Sequence, residues 1–201
     1  MKILLARIAL LCFTALMSSC TALFPKKTVE ASHTVSQEWK VKESFNRLSV
    51  SDGVIVYLLT DKPQQVHVQT SKNLLDCVDM EVSKGLLQIS ATCNLDTADK
   101  IRVFIKAPGI KSIKTNTKGV VRSQNTLKGE ALYLKSSQES HINVTADVKH
   151  LYLESSGRSE LIVQGNTETY SLKSRRDSNI NIQDLVHEFI GNKVYKLAQK
   201  Y

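Results

Sequence analysis

The stretch SSQESHINVTA at residues 136–146 returns as SSGRSELIVQG at 155–165 and as SRRDSNINIQD at 174–184. This fixed step of nineteen residues constrains the fold more than any other feature of the chain. When 132–150, 151–169 and 170–188 are set beneath one another, Leu134, Leu153 and Leu172 share a column. So do Ser136, Ser155 and Ser174, and then Ser140, Ser159 and Ser178. Two apolar columns follow, Ile142, Leu161, Ile180 and Val144, Val163, Ile182, two positions apart. Each copy therefore carries the two-residue alternation of a strand with one face inward. A less regular copy precedes them, with Ile113, Asn116, Gly119 and Val121. A step near twenty with strands and no helices predicts stacked coils that bury together what no single copy buries alone. The expectation is an all-β chain folded as a parallel β-solenoid, a right-handed β-helix by the crossover preference. The serine columns fit its corners, where small hydroxyls bond neighbouring backbone groups.

Three good copies are near the minimum for such a stack, so an N-terminal strand or hairpin cap is expected. Short strands fill that part of the chain: RLSV (47–50), VIVYLLT (54–60), VHVQT (66–70), DMEV (79–82), LLQIS (86–90) and IRVFIKA (101–107). Breakers such as Asp52-Gly53 and Pro108-Gly109 divide them. The expected organisation is a signal peptide at 1–19, a lipidated Cys and flexible tether at 20–39, a β cap at 40–110 and solenoid repeats at 111–201. The stretch DLVHEFIGNKVYKLAQK from residue 184 fits either a helix or a final strand.

The chain begins MKILLARIALLCFTALMSSC. Lys2 and Arg7 precede an apolar run from about Ile8 to Met17, too short for a bilayer core of ~30 Å. It reads as a secretory signal that is removed. Ser18-Ser19-Cys20 resembles the lipobox of bacterial lipoproteins, in which the Cys becomes the first mature residue and carries acyl chains. Several such chains hold a protein on a membrane, since each buried CH₂ contributes about 0.8 kcal/mol. The expected address is an exported, outer-membrane-anchored lipoprotein on the cell surface or the periplasmic face, with the membrane as a partner through acylated Cys20. Cys12 leaves with the signal, so Cys77 and Cys93 remain as an even pair in an oxidising compartment. Between them VDMEVSKGLLQIS reads as a hairpin turning at Lys84-Gly85, which predicts a Cys77–Cys93 disulfide across its open end.

The residues SFNRLSVSDGVIVYLL (44–59) resemble the opening of the auto-transporter adhesin head domain of Bacteroidetes, the head GIN family. Phe45, Leu48, Val50, Gly53, Val54 and Val56 carry the resemblance, and it continues through VSKGLLQIS and RVFIKAPGIKSI (102–113). The family's Ser-Gly-x-Ser-Asp-apolar-x-apolar-x-Gly signature is met by Ser156, Gly157, Ser159, Glu160, Leu161, Val163 and Gly165. The flanking copies depart from it, with Gln138 and Arg176 in the corner Gly position. The resemblance implies an exported lipoprotein with an adhesin role.

Catalytic and cofactor chemistry is not indicated. His33, His67, His141, His150 and His187 show no metal-ligand spacing, and no CxxC, HExxH, GxSxG or phosphate loop occurs, so neither cofactor nor metal is expected. Repeated serines are corner residues rather than nucleophiles. A β-helical glycosidase would need paired carboxylates; Glu139, Glu160 and Asp177 occupy neighbouring corners but lie among arginines and read as solvated ion pairs. Aromatics at 6% argue against a ring-lined cleft. Formal net charge is +8, and losing Lys2 and Arg7 takes it to +6, too modest for nucleic-acid binding. Arg158, Lys173, Arg175 and Arg176, with Lys111, Lys114, Lys118 and Arg122 upstream, form a candidate basic flank for an anionic glycan. Asp96-Thr97-Ala98 resembles a Bacteroidetes O-glycosylation sequon, which makes Thr97 a candidate acceptor. The expected function is a non-catalytic adhesin or interaction scaffold. The alternative is a structural or sensing lipoprotein whose partner is another envelope protein. Oligomeric state is left open.

Overall fold

Alternating apolar residues do form strands along the chain. The computed structural model describes residues 33–61, 63–95 and 100–187. The signal sequence, Cys20, most of the tether, Thr97 and the chain from residue 188 lie outside the described residues. Thirteen strands are described: β1 Thr34–Trp39, β2 Arg47–Val50, β3 Ile55–Leu59, β4 Gln65–Ser71, β5 Val78–Ser83, β6 Leu86–Ala91, β7 Arg102–Lys106, β8 Ser112–Thr115, β9 Val120–Ser137, β10 His141–Ser156, β11 Glu160–Arg175, β12 Asn179–Asn181 and β13 Leu185–His187. One 3-10 helix, Lys72–Cys77, joins β4 to β5. In β3, β4 and β7 every second residue is buried, as Val56 and Leu58, Val66 and Val68, and Val103 and Ile105.

The strands join in one sheet of mixed direction. β1 pairs antiparallel with β4, β4 antiparallel with β7, and β5 antiparallel with β6, whereas β3, β8, β10 and β9 pair in parallel. This overturns the expected parallel β-solenoid with a hairpin cap: the fold is all-β, but it is a mixed sheet curled into a half-barrel. The upstream strands do not sit on the end of a stack. β3 adds to the first half of β9 and β8 to its second half, so two flanks grow sideways from one long strand. The difference has a physical cause. A period of nineteen reads as a coil of several short strands, yet it is one strand of 16 residues, Glu160–Arg175, followed by the three-residue turn before Asn179. A repeat specifies which positions lie side by side. It does not specify the direction of strands outside it, or whether the path closes.

The side-by-side register does follow the repeat. Leu153 faces Leu134 on one side and Leu172 on the other, and Ser155 lies between Ser136 and Ser174. The earlier copy is irregular because β9 holds two extra residues: Asn143 faces Arg122, but Thr145 faces Thr126. The curl is visible as a change of phase. On β10, Ile142, Val144, Ala146 and Val148 are buried, then Leu151, Leu153 and Ser155. Lys149 and His150 between them both face solvent. Two successive outward residues mean that the strand bends there and turns its other face to the core. Lys149 Nζ lies 2.9 Å from Glu130, and His150 Nδ1 lies 2.9 Å from the Thr169 hydroxyl, which ties the bends of adjacent strands together. One apolar core runs from Phe45 to Leu185 between the two flanks. The Cys77–Cys93 disulfide, with Cα atoms 5.5 Å apart, closes the β5–β6 hairpin where the sequence predicted it.

Candidate functional site

The turns joining the long strands form one ladder. Gln138 and Glu139, Gly157 and Arg158, and Arg176 and Asp177 all have left-handed φ, between 50° and 64°. Glu139 N donates to Gly157 O at 2.9 Å, and Arg158 N to Arg176 O at 3.2 Å. Beneath each turn sits a serine pair, with oxygens 3.0 Å apart for Ser136 and Ser140, 2.8 Å for Ser155 and Ser159, and 3.0 Å for Ser174 and Ser178. The Ser140, Ser159 and Ser178 hydroxyls also accept from the backbone N–H of Ser137, Ser156 and Arg175. These hydroxyls hold the turns and bond each other, the first two pairs buried and the third half-buried, which is the structural role their repetition suggested.

The charged residues of the turns spread out. Arg158 pairs with Glu139. Glu160 lies 3.5 Å from His141 Nδ1 and accepts from Asn179 at 3.5 Å. Asp177 stands on the last turn beside Arg176. Arg158 and Arg176 thus stand on turns of mixed charge, Arg175 is exposed at the end of β11, and Lys173 belongs to the outer face of β11. Arg122 faces Tyr57 on the opposite flank. Of the candidate basic residues, Arg158, Arg175 and Arg176 stand at one end of the long strands and Lys114 and Lys173 on one outer face, while Arg122 lies apart on the other flank. Among the described residues no three of His, Cys, Asp and Glu converge as metal ligands would.

The outer face of β8, β9, β10 and β11 carries a different arrangement. One column there reads Ser112, Tyr133, Tyr152, Ser171, and the next reads Lys114, Lys135, Glu154, Lys173. The two tyrosine rings stack with centroids 4.3 Å apart and planes 5° from parallel. They are nevertheless 51% and 37% exposed. Glu154 lies 3.3 Å from Lys135 and 3.6 Å from Lys173. A shallow depression of about 370 Å³ lies against this face. A second stacked pair, Tyr57 and Phe104 at 5.1 Å and 15°, occupies the outer face of the other flank next to Arg122.

Residues 44–194 match the family model described as "Putative auto-transporter adhesin, head GIN domain". The chain belongs to this family. Among solved structures, this head GIN domain is similar to a "putative adhesin" from Bacteroides fragilis NCTC 9343, at 19% identity over 78% of this chain and 74% of that one, TM-score 0.69. It is similar to a "putative adhesin" from Parabacteroides merdae ATCC 43184, at 18% identity over 77% and 74%, TM-score 0.63. It is also similar to a "putative lipid binding protein" from Parabacteroides distasonis ATCC 8503, at 15% identity over 80% and 78%, TM-score 0.61. At these identities the likeness is one of fold. No curated protein matches the chain in sequence. The family match carries the adhesin assignment at its coarsest.

Electrostatics around the tyrosines of the head GIN domain follow from their neighbours. Partial burial alone would raise the Glu154 carboxyl, but hydrogen bonds and charge from Lys135 and Lys173 hold it below the usual carboxylate range. Desolvation, with the adjacent Tyr152, pushes the Tyr133 hydroxyl above its ordinary value. A low aromatic content conceals this site, because total composition does not show where the few rings lie. The signal that reveals it is the repeat itself: Tyr133 and Tyr152 are nineteen residues apart, on the outward phase beside the inward Leu134 and Leu153.

Proposed function

We propose that this protein is a lipid-anchored cell-envelope adhesin, exported by its N-terminal signal and held on the membrane through acylated Cys20. The observation that carries the reading is the order of its parts: a signal ending in Ser18-Ser19-Cys20, then a short spacer, then a head GIN domain from residue 44. The sheet acts as a rigid scaffold without catalytic chemistry, presenting its outer faces to an anionic glycan or to another envelope protein. Metabolic labelling with a palmitate analogue tests the anchor. Label is expected on the wild-type chain and absent from Cys20→Ala, and an unlabelled wild type refutes the anchor. Protease shaving of intact cells tests the adhesin reading: release of the head is expected, whereas full protection favours the structural or sensing alternative within the periplasm.

A further inference from the structure

We propose that the outer face of β8–β11, centred on Tyr133 and Tyr152, binds an oligosaccharide of acidic pyranose rings. This rests on the adhesin reading above and names the ligand class for it. Each tyrosine ring has one face against its partner and one face turned away. The outward face of Tyr133 looks over Ser112, and that of Tyr152 looks over Ser171, because those are the next positions in the lateral register. Serine is too short to fill the space that a third ring would take. Each side therefore has an aromatic wall and a serine floor with a hydroxyl, and Arg47 of β2 flanks the Ser112 side. An aromatic face attracts the weakly positive C–H face of a flat apolar surface, and a pyranose ring offers one.

The cations fix the ligand's charge. Two residues along from each serine on the same strand, and so on the same face, stand Lys114 beside Ser112 and Lys173 beside Ser171. Lys114 has no ion-pair partner among the described residues. Lys135 and Lys173 share one carboxylate, Glu154, so three cations face one anion in this column. The surplus suits a carboxylated or sulfated sugar. The two slots lie three strand spacings apart, about 14 Å, so a single sugar reaches one of them and an oligomer reaches both. The depression of about 370 Å³ falls within the size range of small-ligand sites.

Calorimetric titration of the full chain in detergent micelles tests this, with trigalacturonate and a heparin hexasaccharide as acidic probes and maltotriose as the neutral control. Saturable binding of at least one acidic probe is expected, with maltotriose weaker by about tenfold, the equivalent of one good charge contact. The double variant Tyr133→Ala, Tyr152→Ala should weaken acidic-probe binding by about tenfold or more, while Tyr133→Phe, Tyr152→Phe should retain it, since stacking needs the rings and not the hydroxyls. Lys114→Gln should weaken binding and flatten its dependence on salt. The proposal is overturned if neither acidic probe binds, if maltotriose binds equally well, or if the alanine variant, folded by circular dichroism, binds undiminished. Should the alanine variant fail to fold, Lys114→Gln decides the matter, and unchanged binding and salt dependence refute the site. Acyl labelling and shaving involve none of these residues, so a labelled, surface-exposed chain that ignores both acidic probes sinks the glycan site alone.

Discussion

Gly165 has φ +107°, and a side chain there would overlap the carbonyl of Ala146 on the neighbouring strand. Both facts forbid an L side chain, so Gly165→Ala should destabilise the fold by about 1–3 kcal/mol, as strained left-handed backbone does. Urea denaturation reads this directly, and an unchanged midpoint refutes it. Ser155 is wholly buried, and its hydroxyl partners Ser159. Ser155→Ala leaves that partner without one of its hydrogen bonds and should cost about 1–3 kcal/mol in the same assay. The two kinds of residue differed in how plainly they showed in the sequence. The serine columns were visible because the core and the turn demand a small hydroxyl at each copy. The column Ser112, Tyr133, Tyr152, Ser171 repeats in only two of its four positions, because an outward side chain is not held to one size by the core.

At the scale of elements, the β5–β6 hairpin is stapled by Cys77–Cys93 across a separation of 16 residues. The double variant Cys77→Ser, Cys93→Ser should lose about 2–5 kcal/mol of stability, and reduction of the wild type should reproduce the loss. The hairpin was legible because Gly85 at a turn between two alternating runs leaves few other geometries. The bend in the long strands was not, because a phase slip of one residue at Lys149–His150 looks in a sequence like an ordinary polar pair. The Lys135–Glu154–Lys173 row makes a pH prediction. Because Glu154 is held below its ordinary range in the fold, it contributes stability above the unfolded carboxylate value, and that contribution is lost as pH falls through the depressed one. Glu154→Gln should therefore be less stable than wild type near neutrality and should converge with it in acid. Parallel acid limbs for the two proteins would refute the coupling.

Across the whole molecule, one apolar core joins the upstream strands to the repeat, and Trp39, the chain's single tryptophan, packs against it from β1 at the far end of the sheet. Unfolding should accordingly be one cooperative event: Trp39 fluorescence and far-ultraviolet circular dichroism should give coincident urea transitions. Two separated transitions would mean that the upstream strands melt as an independent cap. The repeat's nineteen-residue step and its inward columns were readable because lateral neighbours in a sheet must match. The overall shape was not, since strand direction is set by connections outside the repeat, such as the antiparallel run of β1, β4 and β7, whose residues carry no mark of which way they pair.

That equal positions of β9, β10 and β11 lie in lateral register has a genetic corollary. A tandem duplication of fifty-seven bases within the repeat would splice in one further rung, about 4.8 Å wide, whose leucines and serines meet their own copies on either side. Relatives could lengthen or shorten this wall by whole rungs, in steps a replication slip supplies, without any new core having to be invented.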